Sequence, residues 1–270
     1  MFFINWARLC HITISYILLY VFVHFLSPFA LFPVPSASYQ NLPGQFKIKT
    51  HTHHYVSAVF YSAPSSSPYV ILYSHGNAED LRNIQPYLKQ WPEHGFSVLG
   101  YDYSGYGTST GQPSEKNTYR DIEAAYHYLV KSCHIPPNRI IAYGRSLGSG
   151  PTLKLAQDHP LAGVIIEGGF VNPFRVITYL PIFPNAPYQN LDRIKTLQVP
   201  VFIIHAQHDR VVHHWHGRAL YLKAPYPKFY FWAPQGGHND LITSNTKAYW
   251  AALDQFRQFL VKNTHSTHND

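Results

Sequence analysis

The sequence predicts an α/β domain in which helices cover both faces of a mostly parallel sheet. Short apolar runs alternate along the chain with longer stretches of helical composition. Such alternation is typical of sheets whose parallel strands are joined by helices. Apolar residues make up 46% of the chain and charged residues 13%, which allows a large core. The 270 residues fit one catalytic domain of about 220–230 residues plus an N-terminal extension.

The N-terminal extension differs in composition from the rest of the chain. Leu9–Phe46 contains no Lys, Arg, Asp or Glu, and Ile12–Phe32 is dominated by Ile, Leu, Val, Phe and Tyr. At about 1.5 Å per residue, a helix over 12–32 would cover the roughly 30 Å of a bilayer core. We therefore predict a membrane anchor and linker over residues 1–44. The alternative is a cleaved signal peptide with a cleavage site near residues 36–38.

The predicted location of the protein is therefore a membrane, which a single N-terminal helix would cross. The membrane is also a predicted partner of the chain. Charge leaves the orientation open, since Arg8 precedes the apolar segment and Lys47 and Lys49 follow it. The formal charge of +7 comes from scattered Lys and Arg without a basic run, so nucleic acid is not an expected partner. The two cysteines cannot form a disulfide framework.

The elements of the following domain can be assigned in chain order. Two weaker runs, Gln45–Thr50 and Val56–Tyr61, are predicted to form an antiparallel start. The parallel strands are predicted at Val70–Tyr73, Phe96–Tyr101, Ile140–Tyr143, Gly163–Ile166, Val201–His205 and Phe229–Trp232. The helices are predicted at Leu81–His94, Glu115–Lys131, Leu147–Asp158, His214–Leu222 and Thr246–Val261. Together they define a domain over residues 45–263, followed by a polar tail over 264–270.

The candidate nucleophile lies between the third parallel strand and its helix. The sequence GRSLG over residues 144–148 matches G-x-S-x-G, a pattern that places a serine on a sharp strand-to-helix turn. The flanking glycines matter because side chains there would collide in a strained turn. We therefore predict Ser146 as the nucleophile, with the backbone N–H of Leu147 as one donor to the oxyanion.

The second oxyanion donor is predicted in the loop SHGNAED, residues 74–80, which follows the first parallel strand. Gly76 allows close approach of the backbone. The N–H of Asn77 or Ala78 would then face the substrate oxygen, and Asn77 is the preferred assignment. His75 is predicted to brace the loop, because the catalytic histidine of this chain order comes last.

The remaining catalytic groups are expected in the order acid, then histidine. Asp209 follows the fifth parallel strand, and His238 follows the last one after two glycines. We predict His238 as the general base and Asp209 as the acid that orients it. Glu167, at the end of the fourth strand, is the alternative acid. Asp240 is interpreted as a cap for the next helix.

Histidine clusters raise the question of a metal. They are His51, His53 and His54, and His213, His214 and His216. Neither cluster has the helical i, i+4 pair with a glutamate that a hydrolytic zinc site shows. No metal is therefore predicted.

The substrate would be covered by the insert Gly168–Gln198, between the fourth and fifth parallel strands. This insert contains aromatic residues and no evident acidic pair. Phe170, Phe174 and Tyr179 are predicted to form aromatic walls over the nucleophile, and the alternative is that they only pack the lid onto the core. The insert is therefore interpreted as a short lid.

Several motifs together resemble a known family. They are SHGNA (74–78), YDYSGYG (101–107), PSE (113–115), GRSLG (144–148) and GHND (237–240). From about Phe60 to Leu260 the chain resembles the BEM46-like branch of α/β-hydrolases, and within it the α/β-hydrolase-domain subfamily 17 of protein depalmitoylases. The resemblance implies the α/β-hydrolase fold and an esterase or thioesterase with its triad at Ser146, Asp209 and His238. At its start the chain departs from that subfamily, where a single Cys10 and an apolar helix replace an acylated cysteine cluster.

The predicted function is a serine hydrolase that cleaves acyl esters or thioesters, of lipids or S-acyl groups, through an acyl-enzyme on Ser146. Such chemistry needs no cofactor. Two alternatives remain open from the residues: a peptidase of the proline aminopeptidase type, and a hydrolase fold used only for binding.

Overall fold

The computed structural model describes residues 6–50, 53–64, 67–179 and 181–266. Eight strands of this part of the chain form one sheet. In chain order they are β1 (Phe46–Lys49), β2 (Tyr55–Tyr61), β3 (Val70–Ser74), β4 (Ser97–Tyr101), β5 (Ile140–Arg145), β6 (Gly163–Glu167), β7 (Val201–Ala206) and β8 (Lys228–Ala233).

The sheet has the order β1-β2-β4-β3-β5-β6-β7-β8. The β1–β2 and β2–β4 pairs are antiparallel, and all the others are parallel. This confirms the predicted fold class, including the antiparallel start. The carboxyl ends of the parallel strands lie at one edge, where ligands bind in open α/β sheets.

Helices connect the strands and cover both faces. They are α1 (Trp6–Leu31), α2 (Leu81–Leu88), α3 (Glu115–His127), α4 (Ser149–Asp158), α5 (Phe174–Thr178), α6 (Asn190–Ile194), α7 (Trp215–Lys223), α8 (Leu241–Ser244) and α9 (Thr246–Ser266). Alternate residues of the central strand β5 enter opposite cores. Ile140 belongs to the core that includes residues of α3, α4 and α7, and Ile141 belongs to the core that includes residues of α2 and α9. This period of two is the geometry of a strand buried on both faces.

Two helices end earlier than the sequence predicts. Helix α2 ends at Leu88, and a separate helical turn begins at Pro92, which has no N–H to continue a helical ladder. Helix α3 ends at His127 and continues as a wider π-helical turn to Ser132. Ser114 caps the start of α3, since its Oγ accepts a hydrogen bond from the Asn117 N–H (3.1 Å).

Helix α1 is long and apolar enough over Arg8–Ser27 to span a membrane, and none of that segment is buried. The residues between α1 and β1 pack on the α/β domain. The Ser38 N–H and Oγ both donate to the Asp80 carboxylate, at 2.7 and 2.6 Å. The Tyr39 side chain is buried and its hydroxyl donates to Asp102. This part of the predicted linker is therefore bound to the domain surface.

Candidate active site

Ser146 lies on a strained turn between β5 and α4. Its φ of 50° is in the left-handed region, which costs free energy for a residue with a side chain. A Cβ on Gly144 would lie 2.4 Å from the Gly148 carbonyl oxygen, and a Cβ on Gly148 would lie 2.1 Å from the Ser74 carbonyl oxygen. Only glycine fits these positions, so the two glycines of the motif allow the turn that exposes the serine.

The structure brings together the three residues assigned from the sequence. His238 Nε2 lies 3.0 Å from Ser146 Oγ, and His238 Nδ1 lies 2.7 Å from Asp209 Oδ2. Asp209 follows β7 and His238 follows β8, so each side chain comes from its own loop at the carboxyl edge of the sheet. This arrangement has the geometry of a nucleophile, a general base and an orienting acid.

The Asp209 carboxylate is held from several directions. Its Oδ1 accepts hydrogen bonds from the N–H groups of Val211 (2.9 Å) and Val212 (2.8 Å), and His205 Nε2 lies 3.4 Å from Oδ2. Burial by itself raises the pKa of Asp209, but the hydrogen bonds with His205 and His238 bring that pKa below its ordinary value. The carboxylate therefore stays charged in the pH range where a histidine acts as a base.

Glu167, the alternative acid, belongs to a different network. It accepts hydrogen bonds from the Tyr143 hydroxyl and from the Tyr249 hydroxyl (3.0 Å), and Arg145 Nε lies 3.4 Å from it. These partners occupy its carboxylate in the buried interior. The geometry thus favours Asp209 as the partner of His238.

Asn77, from the loop after β3, lines the cavity beside Ser146. Leu147, which follows the serine in the chain, lines the same cavity. The side chain of Asn77 is fixed, because its Oδ1 accepts hydrogen bonds from the Tyr106 hydroxyl (2.9 Å) and the Ala78 N–H (3.0 Å). His75 is buried, and its Nδ1 lies 2.7 Å from the Gly76 carbonyl oxygen. Its place inside the loop agrees with the bracing role predicted for it.

A cavity of about 370 Å³ opens beside Ser146. Phe170 and Phe174 of the lid line it. Tyr179, the third aromatic residue predicted to cover the nucleophile, is not part of the lining. Its side chain is 47% exposed and its hydroxyl contacts His213 instead. The reason is the short helix α5, which ends before Tyr179 and turns that side chain away from the cavity.

Arg145 connects the loops around the site, and sequence reasoning missed it. Its guanidinium forms an ion pair with Glu79 and donates to the carbonyl oxygen of His238 (3.0 Å) and to Asn239 Oδ1 (3.0 Å). The residue before the nucleophile thus ties the Asn77 loop to the His238 loop. Its position could have indicated such a role, since Arg145 is a charged residue at the end of the buried strand β5.

The side chain of Asp240 does not cap the next helix, in contrast to the interpretation from the sequence. It precedes α8, but its side chain forms no capping bond with that helix. Oδ1 accepts a hydrogen bond from the Gly237 N–H (2.7 Å) instead, and Oδ2 accepts one from Ser244 Oγ (3.1 Å). Asp240 therefore stabilises the turn that carries His238.

The described residues contain one trio that could hold a metal ion: Glu123, His127 and His159. None of the three lines the cavity beside Ser146. Of the two histidine clusters noted in the sequence, neither forms such a group among the described residues, and His51 lies outside them. The trio was missed because His159 comes from a separate part of the chain, beyond α4.

Known proteins share both the sequence and the fold. A family model described as serine aminopeptidase, S33 (Hydrolase_4) matches residues 66–186. The chain is 34% identical to α/β-hydrolase domain-containing protein 17C of Xenopus laevis, over 80% of this chain and 68% of that protein. It is 33% identical to human α/β-hydrolase domain-containing protein 17B, over 80% and 74%. An esterase of Pyrococcus furiosus has the same fold, with a TM-score of 0.71 at 15% identity over 84% of this chain and 97% of that one.

Proposed function

The chain belongs to the family of α/β-hydrolase domain-containing protein 17, and from this we propose that it is a serine hydrolase of acyl esters or thioesters. The observation that carries the proposal is the position of Ser146, which lines a largely apolar cavity while its Oγ is 3.0 Å from His238 Nε2. Such a cavity suits an acyl chain, and the serine is placed to attack the carbonyl at its end.

The proposed reaction proceeds through an acyl-enzyme. His238 Nε2 takes the proton from Ser146 Oγ as the oxygen attacks the carbonyl carbon, and Asp209 stabilises the imidazolium. The N–H groups of Leu147 and Asn77 donate to the oxyanion. The intermediate collapses, and the alcohol or thiol leaves with the proton from His238. Water then repeats the sequence and releases the fatty acid.

A peptidase is less well supported by the cavity. Among the described residues that line it, none is Asp, Glu, Lys or Arg. An aminopeptidase needs a carboxylate for the substrate's amino group, because an unpaired ammonium in an apolar site is costly. The cavity offers no such partner. A purely binding role would leave the hydrogen-bonded Ser146–His238–Asp209 arrangement unexplained.

The acyl specificity can be measured with monomeric p-nitrophenyl esters. We expect kcat/KM to rise from the C4 to the C8 ester, since each buried methylene contributes about 0.8 kcal/mol and four would give up to roughly 200-fold. Phe174→Ala should reduce this rise because Phe174 lines the cavity. Leu222→Ala is the control, as its side chain is exposed. A steady fall beyond C4 that Phe174→Ala leaves unchanged would contradict the proposal.

We propose further that α1 is an uncleaved membrane anchor. Full-length protein should stay in the membrane pellet after alkaline carbonate washing. The wash disrupts polar contacts at the membrane surface, but it does not extract a helix of about 20 apolar residues from the bilayer. A chain that begins at Phe32 keeps Ser38 and Tyr39 and should move to the supernatant. Recovery of a mature protein that begins near Tyr39 would instead establish a signal peptide. The hydrogen bonds of Ser38 with Asp80 argue against cleavage there.

A further inference from the structure

The cavity beside Ser146 has a wall that the hydrolase domain does not supply. One part of its lining comes from the loops at the sheet edge, another from the lid, and a third from α1. The residues of this third part, here named the α1 wall, are Phe22, Val23, Leu26, Ser27, Ala30 and Leu31.

The spacing of the α1 wall is that of a single helix face. Its members recur in pairs one turn apart, at 22 and 23, 26 and 27, and 30 and 31. From the first to the last, the helix rises about 14 Å at 1.5 Å per residue. Apart from Ser27 the wall is apolar. It therefore offers an elongated apolar surface next to the nucleophile.

Contacts on both sides of the wall hold α1 against the lid and the core. The Tyr16 hydroxyl donates to the carbonyl oxygen of Ile182 in the lid (2.6 Å). The His24 ring packs edge-on against Phe174 with centroids 5.2 Å apart. At the end of the helix, Phe32 is buried and packs against Tyr188. The helix thus has a defined position over the cavity.

The α1 wall overlaps the segment that is long and apolar enough to span a membrane. That segment covers Arg8–Ser27, so the first four wall residues lie within it. The face of α1 turned away from the cavity is also apolar and exposed: Val21 is 57% exposed and Phe25 70%. On the lid, Ile177 lines the cavity and is 80% exposed. The cavity therefore lies beside the part of the helix that lipid would surround.

We propose that α1 is a structural part of the acyl-binding site and determines which acyl chains it accepts. The ligand is a long acyl chain that lies in the same bilayer as the helix and binds along the α1 wall, with its carbonyl at Ser146. This inference rests on the proposed acyl-hydrolase function and names the substrate-determining element. It differs from an anchor role, in which α1 would only hold the domain at the membrane.

Two valines of α1 provide a matched test. Val23 belongs to the α1 wall, whereas Val21 faces away from the cavity and is exposed. In detergent-solubilised full-length protein, Val23→Trp should lower the ratio of kcat/KM for p-nitrophenyl laurate to that for the butyrate about tenfold. Tenfold corresponds to about 1.4 kcal/mol, the contribution of roughly two buried methylenes that the indole displaces. Val21→Trp adds the same bulk outside and should leave the ratio unchanged.

The outcomes separate this inference from the proposed function. An unchanged ratio in Val23→Trp, or an equal fall in both variants, overturns the role of α1 while the hydrolase function stands. A wild-type protein that cleaves neither ester overturns the proposed function itself. Should Val23→Trp fail to accumulate, Ala30→Leu at another position of the α1 wall carries the same comparison with Val21→Trp.

Discussion

Ser146→Ala is expected to abolish hydrolysis of both short and long acyl esters and to prevent labelling by a fluorophosphonate probe. The loss should be on the order of 10³-fold or more, because the serine and its base act as one unit. The fold should survive, since the change removes a single oxygen that is hydrogen-bonded to His238 Nε2. Rates, gel-based probe labelling and thermal unfolding measure the three outcomes.

Ser132→Ala serves as the control for this experiment. Ser132 is exposed and lies at the end of the turn after α3, away from the cavity beside Ser146. Its variant should keep wild-type rates and full labelling. If Ser146→Ala were still labelled on another serine, and still active, the nucleophile would be misassigned. The family membership and the fold would be unaffected by that result.

Asp209→Asn is expected to lower turnover by up to about 10⁴-fold with little change in overall structure. The carboxylate accepts from His238 Nδ1 at 2.7 Å, which fixes the tautomer with Nε2 free to accept the serine proton. An amide removes the negative charge that stabilises the imidazolium, and it presents a donor where an acceptor is needed. Steady-state kinetics with a short ester measure the effect.

Glu167→Gln is the matched comparison, because it makes the same acid-to-amide change in the other candidate. Glu167 accepts from Tyr143 and Tyr249 and lies 3.4 Å from Arg145 Nε. Loss of its charge should lower the thermal unfolding temperature and leave the rate near that of the wild type, since the partly buried Arg145 loses one of its two carboxylate partners. A larger rate loss in Glu167→Gln than in Asp209→Asn would show that the acid is misassigned.

The sequence by itself predicted the fold class, which the structure confirms, and the candidate catalytic groups. Alternation of apolar runs with helical stretches is a local property, so the six parallel strands could be assigned within one or two residues. The steric requirement for glycine at Gly144 and Gly148 followed from the motif, and in the structure a Cβ at either position would collide with a backbone carbonyl oxygen. Ser146, Asp209 and His238 could be predicted as a group because each follows a predicted strand. The carboxyl ends of parallel strands meet at one edge of the sheet, so these side chains were expected to lie together.

Only the tertiary structure decided which surfaces meet around Ser146. The apolar composition of α1 is equally typical of a membrane anchor and of a helix that lines an apolar cavity, because a bilayer and such a cavity both favour apolar side chains. The lining by Val23 and Leu26, the outward turn of Tyr179 and the bridge from Arg145 to His238 depend on contacts between residues far apart in the chain. Local pattern carries no information about such pairs. The sequence therefore predicted the candidate catalytic groups, whereas the packing of distant elements formed the cavity beside Ser146.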